Sequence, residues 1–234
     1  MTQAIEDEIA TKIVIADDHP LFRAALQQTL QSGLDSEAQP CLLQADTITA
    51  VHELLERHPD TDLVLLDLNM PEAQGFCGLA NLRGAFPSVP IAIISASDQP
   101  YIIRQAADLG ASGFIPKTLS PLELAAAVAA LLTGDTWFSQ SLQRVERGLD
   151  QATAEFARRL ATLTPHQFRV YTMITEGLLN KQIAFELNIS EPTVKAHVTA
   201  ILRKLNVRDR KQVIIAAQAL MVNHPVPATV APRD

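Results

Sequence analysis

The chain has 234 residues, of which 47% are hydrophobic and 5% aromatic, so it suits one large domain or two ordinary ones with an aliphatic core. No apolar run approaches the roughly 18 residues of a membrane span, and the acidic start is unlike a signal peptide, which together predict a soluble cytoplasmic protein with no membrane partner. Residues 1–150 hold 20 acidic and 8 basic side chains, whereas residues 151–234 hold 6 and 11. This difference indicates a regulatory acidic part joined to a smaller part that binds a polyanion.

The first half of the sequence alternates short apolar strands with amphipathic helices. Strands are predicted at residues 12–16, 41–45, 63–67, 91–95 and 113–115. Helices are predicted at residues 20–31, 47–57, 75–86, 98–109 and 121–132. Five strand–helix units with short connections allow few topologies, so these residues predict an α/β domain built on a doubly wound, five-stranded parallel sheet.

Polar side chains mark the carboxyl ends of the predicted strands. Asp17 and Asp18 end the first strand, Asp67 the third and Ser95 the fourth, and Lys117 follows the fifth. Because parallel strands end at one edge of a sheet, we expect these side chains to lie close together. Three carboxylates in one place repel each other unless a cation lies among them, and oxygen ligands suit Mg²⁺. Lys117 and the Ser95 hydroxyl could then donate to an anionic group on Asp67, so the pattern predicts an aspartate that accepts a phosphoryl group.

Residues 11–133 resemble the receiver domains of two-component response regulators, which have a flavodoxin-like fold. The resemblance is carried by the acidic pair, the Asp-x-x-Met-Pro sequence that starts at Asp67, the serine before an alanine and the later lysine. It implies that Asp67 is the phosphoacceptor. It also implies that Asp18, Asp67 and the backbone carbonyl of Asn69 bind Mg²⁺, with Asp17 acting partly through water.

The same resemblance implies a switch pair, in which the Ser95 hydroxyl moves to the phosphoryl group and the Phe114 ring follows it inward. Read without the resemblance, Phe114 is equally well a core residue and Lys117 a solvated surface charge. One departure is Glu72, because many receivers have glycine after this proline. An extra carboxylate there could alter the lifetime of the phosphorylated state, or it could point into water.

A connector is expected at residues 134–160. Apolar side chains recur there at alternating spacings of three and four, a heptad-like stripe typical of a helix that packs on a partner chain or on the receiver. The stripe consists of Leu142, Val145, Leu149, Ala152 and Phe156. A loose linker with a helical turn or two is the alternative.

The second half of the sequence predicts an all-α, four-helix helix-turn-helix domain at residues 161–222, followed by a flexible tail at 223–234. The helices are expected at residues 165–176, 180–187, 191–205 and 210–221, with Ser190 as the cap of the third. One face of the third helix is apolar. The opposite face presents Thr193, Lys195, Ala196, Thr199 and Arg203. Small polar and basic residues on such a helix suit entry into the major groove of DNA.

This half resembles the LuxR-type helix-turn-helix of NarL/FixJ response regulators. The resemblance is carried by four segments, at residues 163–165, 177–184, 189–197 and 204–207. It implies that Lys195 reaches base edges, that Ala196 and Thr199 line the groove, and that Lys181 and Arg203 touch phosphates.

The sequence therefore predicts a phosphorylation-controlled, DNA-binding transcriptional regulator and not a turnover enzyme. Its expected partners are a sensor histidine kinase, a double-stranded DNA operator and a second copy of the chain, with which it would dimerise when phosphorylated. The family resemblance implies that the first and fifth receiver helices are candidate dimer surfaces. The unmodified receiver is expected to cover the recognition helix. A regulator whose receiver works without phosphorylation is the main alternative. A Mg²⁺-dependent phosphatase is another, although it would need an aspartate at the position of Asn69.

Overall fold

A computed structural model describes residues 10–34, 39–72, 75–139 and 148–221. Five parallel strands form one sheet in the order β2-β1-β3-β4-β5. The strands are Lys12–Ala16 (β1), Cys41–Ala45 (β2), Leu63–Asp67 (β3), Ile91–Ser95 (β4) and Gly113–Pro116 (β5). The strand order changes direction between β1 and β3, and open α/β sheets bind ligands at the carboxyl ends of strands at such a point. The predicted fold class is confirmed.

Five helices cover the two faces of the sheet. They are Pro20–Gly33 (α1), Ile48–Arg57 (α2), Cys77–Ala85 (α3), Pro100–Asp108 (α4) and Pro121–Leu132 (α5). Successive strand residues point to opposite faces, so Ile13 packs in the core on the α1–α5 side and Val14 in the core on the α2–α3–α4 side. Helix α3 begins later than predicted, because Gly75 adopts a left-handed backbone with φ of 68° and cannot start it.

The second domain consists of helices whose starts are marked by capping side chains. The connector helix Gln151–Leu160 (α6) precedes it, and its own helices are Pro165–Thr175 (α7), Asn180–Glu186 (α8), Glu191–Leu205 (α9) and Arg210–Gln218 (α10). The side chains of Thr164, Ser190 and Asp209 each accept a backbone amide hydrogen bond in the first turn of the helix that follows. Helix α9 ends at Asn206, which adopts the left-handed conformation.

The connector is only partly helical, and the predicted stripe is wrong where it can be followed. Residues 148–150 have no helical structure, because the Leu149 amide donates to Asp108 and the Asp150 side chain caps α6 from outside. Ala152 is exposed whereas Phe156 is buried, so the two do not share an apolar face. The predicted positions 142 and 145, and the predicted tail at 223–234, lie outside the described residues.

The two domains share one continuous apolar core on the α3 side of the sheet. Helix α3 packs on α6, and the cluster that includes Phe76 and Leu79 of the receiver also includes Phe156 and Leu160 of the connector helix. The approach is close at Gly84, where an added Cβ would lie 2.2 Å from the backbone oxygen of Ala161. Helix α6 therefore belongs structurally to the domain interface.

Candidate functional site

The predicted acidic pocket forms at the carboxyl edge of the sheet. Asp17 ends β1 and Asp67 ends the neighbouring β3, and each is only 1% exposed. Lys117, just beyond β5, places Nζ 2.6 Å from Asp17 Oδ2 and 3.2 Å from Asp67 Oδ2. The same ammonium lies 4.5 Å from the centre of the Phe22 ring. Lys117 is therefore part of the pocket and is not a solvated surface charge.

Four side chains in this pocket could share a cation. Ligand atoms of Asp17, Asp18, His19 and Asp67 all lie within 4.8 Å of one another. The carboxylate oxygens of Asp67 and Oδ1 of Asp18 are buried, and the nearby cationic or ring donors are Lys117 Nζ, 3.2 Å from Asp67 Oδ2, and His19 Nδ1, 2.8 Å from Asp18 Oδ1. Buried carboxylate oxygens need compensation, so the donor set is compatible with Mg²⁺, which prefers oxygen ligands.

The electrostatics of the pocket leave Asp67 under-compensated. Burial raises the pKa of the Asp67 carboxyl, the Lys117 ammonium opposes this rise, and the Asp17 carboxylate adds to it. Asn69, whose carbonyl is the expected third ligand, follows two residues after Asp67 and is exposed. A bound cation or a phosphoryl group with its own donors would relieve the imbalance.

His19, for which the sequence pattern predicts no role, also lines the pocket. Its ring Nδ1 lies 2.8 Å from Asp18 Oδ1 and 3.2 Å from Asp17 Oδ1, and its amide donates to Asp17 Oδ1 at 2.8 Å. The feature of the sequence that could have indicated its place in the pocket is its position directly after the acidic pair. The His19 ring therefore lies among the carboxylate oxygens that could bind a cation, and its nitrogen could join them as a ligand.

The predicted switch residues lie next to the pocket and are buried. Ser95 is 0% exposed, its Oγ accepts from the Ser97 amide at 3.2 Å, and its carbonyl accepts from the Lys117 amide at 2.8 Å. Phe114 is packed in the core, and its amide donates to the Trp137 carbonyl at 2.7 Å. The end of β4 is therefore hydrogen-bonded to the backbone of Lys117, whose ammonium contacts Asp67.

Glu72 points neither into the pocket nor into water. Its carboxylate accepts from the Thr49 amide at 3.1 Å and the Thr49 hydroxyl at 2.8 Å, at the start of α2. Its backbone has a φ of 68°, unusual for a residue other than glycine. The side-chain contacts with α2 hold the loop after β3 in this conformation.

The predicted DNA-binding face of α9 is open. Thr193, Lys195, Ala196, Thr199 and Arg203 are all exposed, as is Lys181 on α8. The expectation that the receiver covers the recognition helix is therefore wrong. The receiver docks instead on α6, α7 and the end of α10, because those surfaces complete the apolar core that begins on α3.

A buried polar network joins the domains at this interface. Asn81 of α3 donates through Nδ2 to the carbonyls of Leu163 at 3.1 Å and Leu160 at 3.4 Å, at the end of α6. Its Oδ1 lies 2.8 Å from His52 Nε2. With both Asn81 amide hydrogens used, His52 Nε2 must be the donor, which leaves its buried Nδ1 without a partner among the described residues.

Two further contacts cross the interface at the start of α3. The Phe76 amide, at the start of α3, donates to the Leu220 carbonyl at 2.8 Å. Cys77 Sγ lies 3.3 Å from the Tyr171 hydroxyl, and burial raises the pKa of this thiol to about 12, so it remains a neutral partner. Nothing in the sequence pattern marked these residues, since each reads as ordinary helix or core.

The fold and the pocket define a receiver domain joined to a helix-turn-helix domain. Two family descriptions match the chain: response regulator receiver domain over residues 13–129, and bacterial regulatory proteins, luxR family, over residues 161–217. The chain belongs to the two-component response regulators that combine a receiver with a LuxR-type DNA-binding domain. These are transcriptional regulators and not turnover enzymes, which removes the phosphatase alternative.

Similar proteins match across both domains. The chain is 40% identical over 211 residues to the glycerol metabolism activator of Pseudomonas putida, covering 88% of this chain and 94% of that protein. It is 36% identical over 199 residues to the nitrate/nitrite response regulator protein NarP of Escherichia coli K12, covering 85% and 90%. A structure of the response regulator RcsB in complex with DNA matches with a TM-score of 0.52 and 24% identity over 91% of this chain and 100% of that one. This last likeness shows the fold alone.

No helix in the described ranges is long and apolar enough to cross a membrane.

Proposed function

We propose that this response regulator controls transcription through phosphorylation of Asp67 by a sensor histidine kinase. The observation that carries the proposal is the buried Asp67 carboxylate, whose Oδ2 lies 3.2 Å from the Lys117 ammonium and which shares the pocket with the acidic pair. Asp18, Asp67 and the Asn69 carbonyl would hold Mg²⁺, with Asp17 contributing through water. The bound ion supplies positive charge that offsets the carboxylates and the incoming phosphoryl oxygens.

The residues of the pocket have distinct parts in the transfer. A carboxylate oxygen of Asp67 attacks the phosphorus of a phosphohistidine, so that an O–P bond forms while the P–N bond breaks and the released imidazole takes up a proton. Lys117 is already within 3.2 Å of the attacking carboxylate and can stabilise the charge on the transferred group. Ser95 lies at the end of the strand beside Asp67 and supplies a hydroxyl donor.

The loop after β3 provides a route from Asp67 to the DNA-binding domain. Within ten residues it runs from Asp67 through Asn69 to the Phe76 amide, which is bonded to Leu220 beyond α10. The Thr172 hydroxyl of α7 lies 3.4 Å from the Glu72 carbonyl in the same loop. A phosphoryl group that shifts this loop would strain the docked arrangement and favour the separation of the domains.

A second consequence we propose is homodimerisation on the opposite side of the receiver. Helices α1 and α5 pack side by side, and they expose Leu21 and Leu122 by 87% and 81%. Large exposed leucines on neighbouring helices suit a protein contact. A dimer would present two copies of α9 to the two halves of a DNA operator. Lys181, Thr193, Lys195, Ala196, Thr199 and Arg203 are its proposed DNA-binding residues.

The phosphoacceptor assignment is tested by labelling with acetyl phosphate in the presence of Mg²⁺. We expect wild-type protein to gain one phosphoryl group in intact-mass spectra and Asp67→Asn to gain none. Asp62→Asn is a matched control, because Asp62 is an exposed carboxylate directly before β3, at the other end of the strand from Asp67. Equal labelling of Asp67→Asn and wild type would remove Asp67 from this role.

A further inference from the structure

The exposed face of α9 carries an apolar strip between two cations. Lys195, Ala196, Thr199, Ala200 and Arg203 line an open depression of about 400 Å³; we refer to these five residues as the α9 depression. The other four residues follow Lys195 by one, four, five and eight positions, so all five lie along one face of the helix. The two charged ends are separated by about 12 Å along the helix axis, and the small side chains lie between them.

The hydrogen-bonding capacity of this stripe is small. The Thr199 hydroxyl donates to the Lys195 carbonyl at 2.9 Å, so its hydrogen is committed to the helix backbone. One turn earlier, the Ser190 and Thr193 hydroxyls are bonded to each other at 2.7 Å. Between its two cations, the depression therefore offers the DNA only methyl groups and the acceptor side of one hydroxyl.

This composition limits how α9 can recognise an A·T pair. Adenine in the major groove is read by asparagine or glutamine, which bond to its N6 and N7 atoms, and α9 contains neither residue type. Thymine presents an O4 acceptor and a 5-methyl group in that groove, and the methyl group is read by apolar contact with alanine or with the threonine methyl. Ala196, Thr199 and Ala200 supply such contacts.

We propose that the α9 depression is a thymine-methyl site, in which Ala196, Thr199 and Ala200 receive the 5-methyl group of one thymine in each operator half-site. Lys195 lies at one end of the strip and donates to the O6 and N7 acceptors of a guanine next to that thymine. Arg203 lies at the other end, where its guanidinium can reach the phosphate backbone. The inference rests on the proposed DNA-binding role of α9 and adds the base that it selects.

The test uses the full-length protein and a duplex selected from a random DNA library by its affinity for that protein. In this duplex each thymine is replaced singly by deoxyuridine, which removes only the 5-methyl group. We expect one replacement in each half-site to raise Kd about threefold to fivefold, the effect of losing one buried methyl group. Changing that thymine to cytosine should weaken binding, and 5-methylcytosine at the same place should recover part of the loss.

Two variants of Thr199 test whether the thymine methyl group contacts the methyl group of Thr199. Thr199→Ser keeps the hydroxyl and removes the methyl, so the ratio of Kd for deoxyuridine to Kd for thymine should fall toward one. Thr199→Val keeps the methyl and removes the hydroxyl, so it should retain the penalty for deoxyuridine. Neither change alters charge, so the salt dependence of binding should stay that of the wild type.

The outcomes separate this inference from the proposed function. Tight, salt-sensitive binding that no deoxyuridine replacement weakens would overturn the thymine-methyl site and leave the DNA-binding role standing. A penalty that is the same in Thr199→Ser and wild type would overturn it as well, because the methyl would then lie elsewhere. If the library yields no preferred duplex, the DNA-binding role and the inference that rests on it both fail.

Discussion

The acidic pocket and the domain interface lie at the two ends of one short loop, and they are built in opposite ways. The pocket gathers buried carboxylates, and the Lys117 ammonium and the Asn69 amide do not fully offset the rise in pKa that burial gives Asp67. At the interface the Asn81 amide uses both of its hydrogens and its oxygen, inside a continuous apolar core. The pocket keeps a carboxylate whose pKa is raised by burial, whereas at the interface the hydrogen-bonding groups of the Asn81 amide are all used. We therefore expect a ligand to act at the pocket and the interface to open in response.

Removal of Lys117 should have the largest effect on the pocket. In Lys117→Met the buried Asp17 and Asp67 lose their cation, and breaking a buried ion pair in this way lowers the free energy of unfolding by about 3 to 5 kcal/mol. Urea unfolding with and without Mg²⁺ measures this loss. Mg²⁺ should restore more stability to the variant than it adds to the wild type.

The control for this prediction is urea unfolding of the double variant Lys117→Met, Asp17→Asn. Removing one of the two crowded carboxylates should return part of the lost stability. If Lys117→Met unfolds at the same urea concentration as the wild type in the absence of Mg²⁺, the pocket is not under-compensated.

A methyl group at Gly84 should break the interface while leaving the pocket intact. The added carbon would meet the backbone oxygen of Ala161 at 2.2 Å, a contact that real side chains do not make, so Gly84→Ala should separate the domains and destabilise the docked state by about 1 to 3 kcal/mol. Small-angle X-ray scattering should show a larger radius of gyration.

Gly33→Ala is the matched control for this change. Its added carbon would meet Ala125 at 2.7 Å, inside the receiver, so it should strain α1 against α5 without separating the domains. An unchanged radius of gyration in Gly84→Ala, or the same increase in both variants, would contradict the docking described above.

Acid should weaken the interface through His52, with the smallest of these effects. Burial lowers the pKa of His52, while its bond to Asn81 and the charge of Glu56 oppose the shift. A histidine pKa below its unfolded value near 6.5 means that the unfolded state binds more protons, so stability falls as pH decreases through that value, by at most about 1.4 kcal/mol per pH unit.

The contribution of His52 is measured as the difference between wild type and His52→Gln in urea unfolding from pH 7.5 to pH 5.5. Glutamine can still donate to Asn81 but does not titrate, so its stability should vary less over this range. If the free energy of unfolding varies with pH in the same way in both proteins, His52 is not a buried, neutral imidazole in the folded state.

The pocket could be predicted because strand ends are local features of the sequence. Apolar runs fixed β1, β3 and β4, and the register of a parallel sheet then brought Asp17, Asp67 and Lys117 to one edge. His19 was missed although it follows the acidic pair directly. The orientation of Glu72 was missed too, because its positive φ depends on a hydrogen bond to a distant helix.

The interface could not be predicted, because its residues acquire their roles only when two domains meet. Asn81 reads as a polar residue in a helix, and Gly84 reads as a weak point in α3, until the end of α6 is placed against them. The expectation that the receiver covers α9 was wrong for a similar reason. The amphipathic pattern of α9 shows only that one of its faces is apolar, and that face packs within its own helix bundle. The surface on which the receiver docks depends on how the shapes of the two folded domains fit together, and no single segment of the sequence contains that information.

The central claim, that a phosphoryl group on Asp67 loosens the domains through the loop after β3, is tested most directly by hydrogen–deuterium exchange at the Phe76 amide. This amide is bonded to the Leu220 carbonyl across the interface. With Mg²⁺ and beryllofluoride, which mimics the phosphoryl group, we predict faster exchange at Phe76 in the wild type and no change in Asp67→Asn. Unchanged exchange in a wild-type protein shown by fluorine NMR to carry the beryllofluoride would contradict the account.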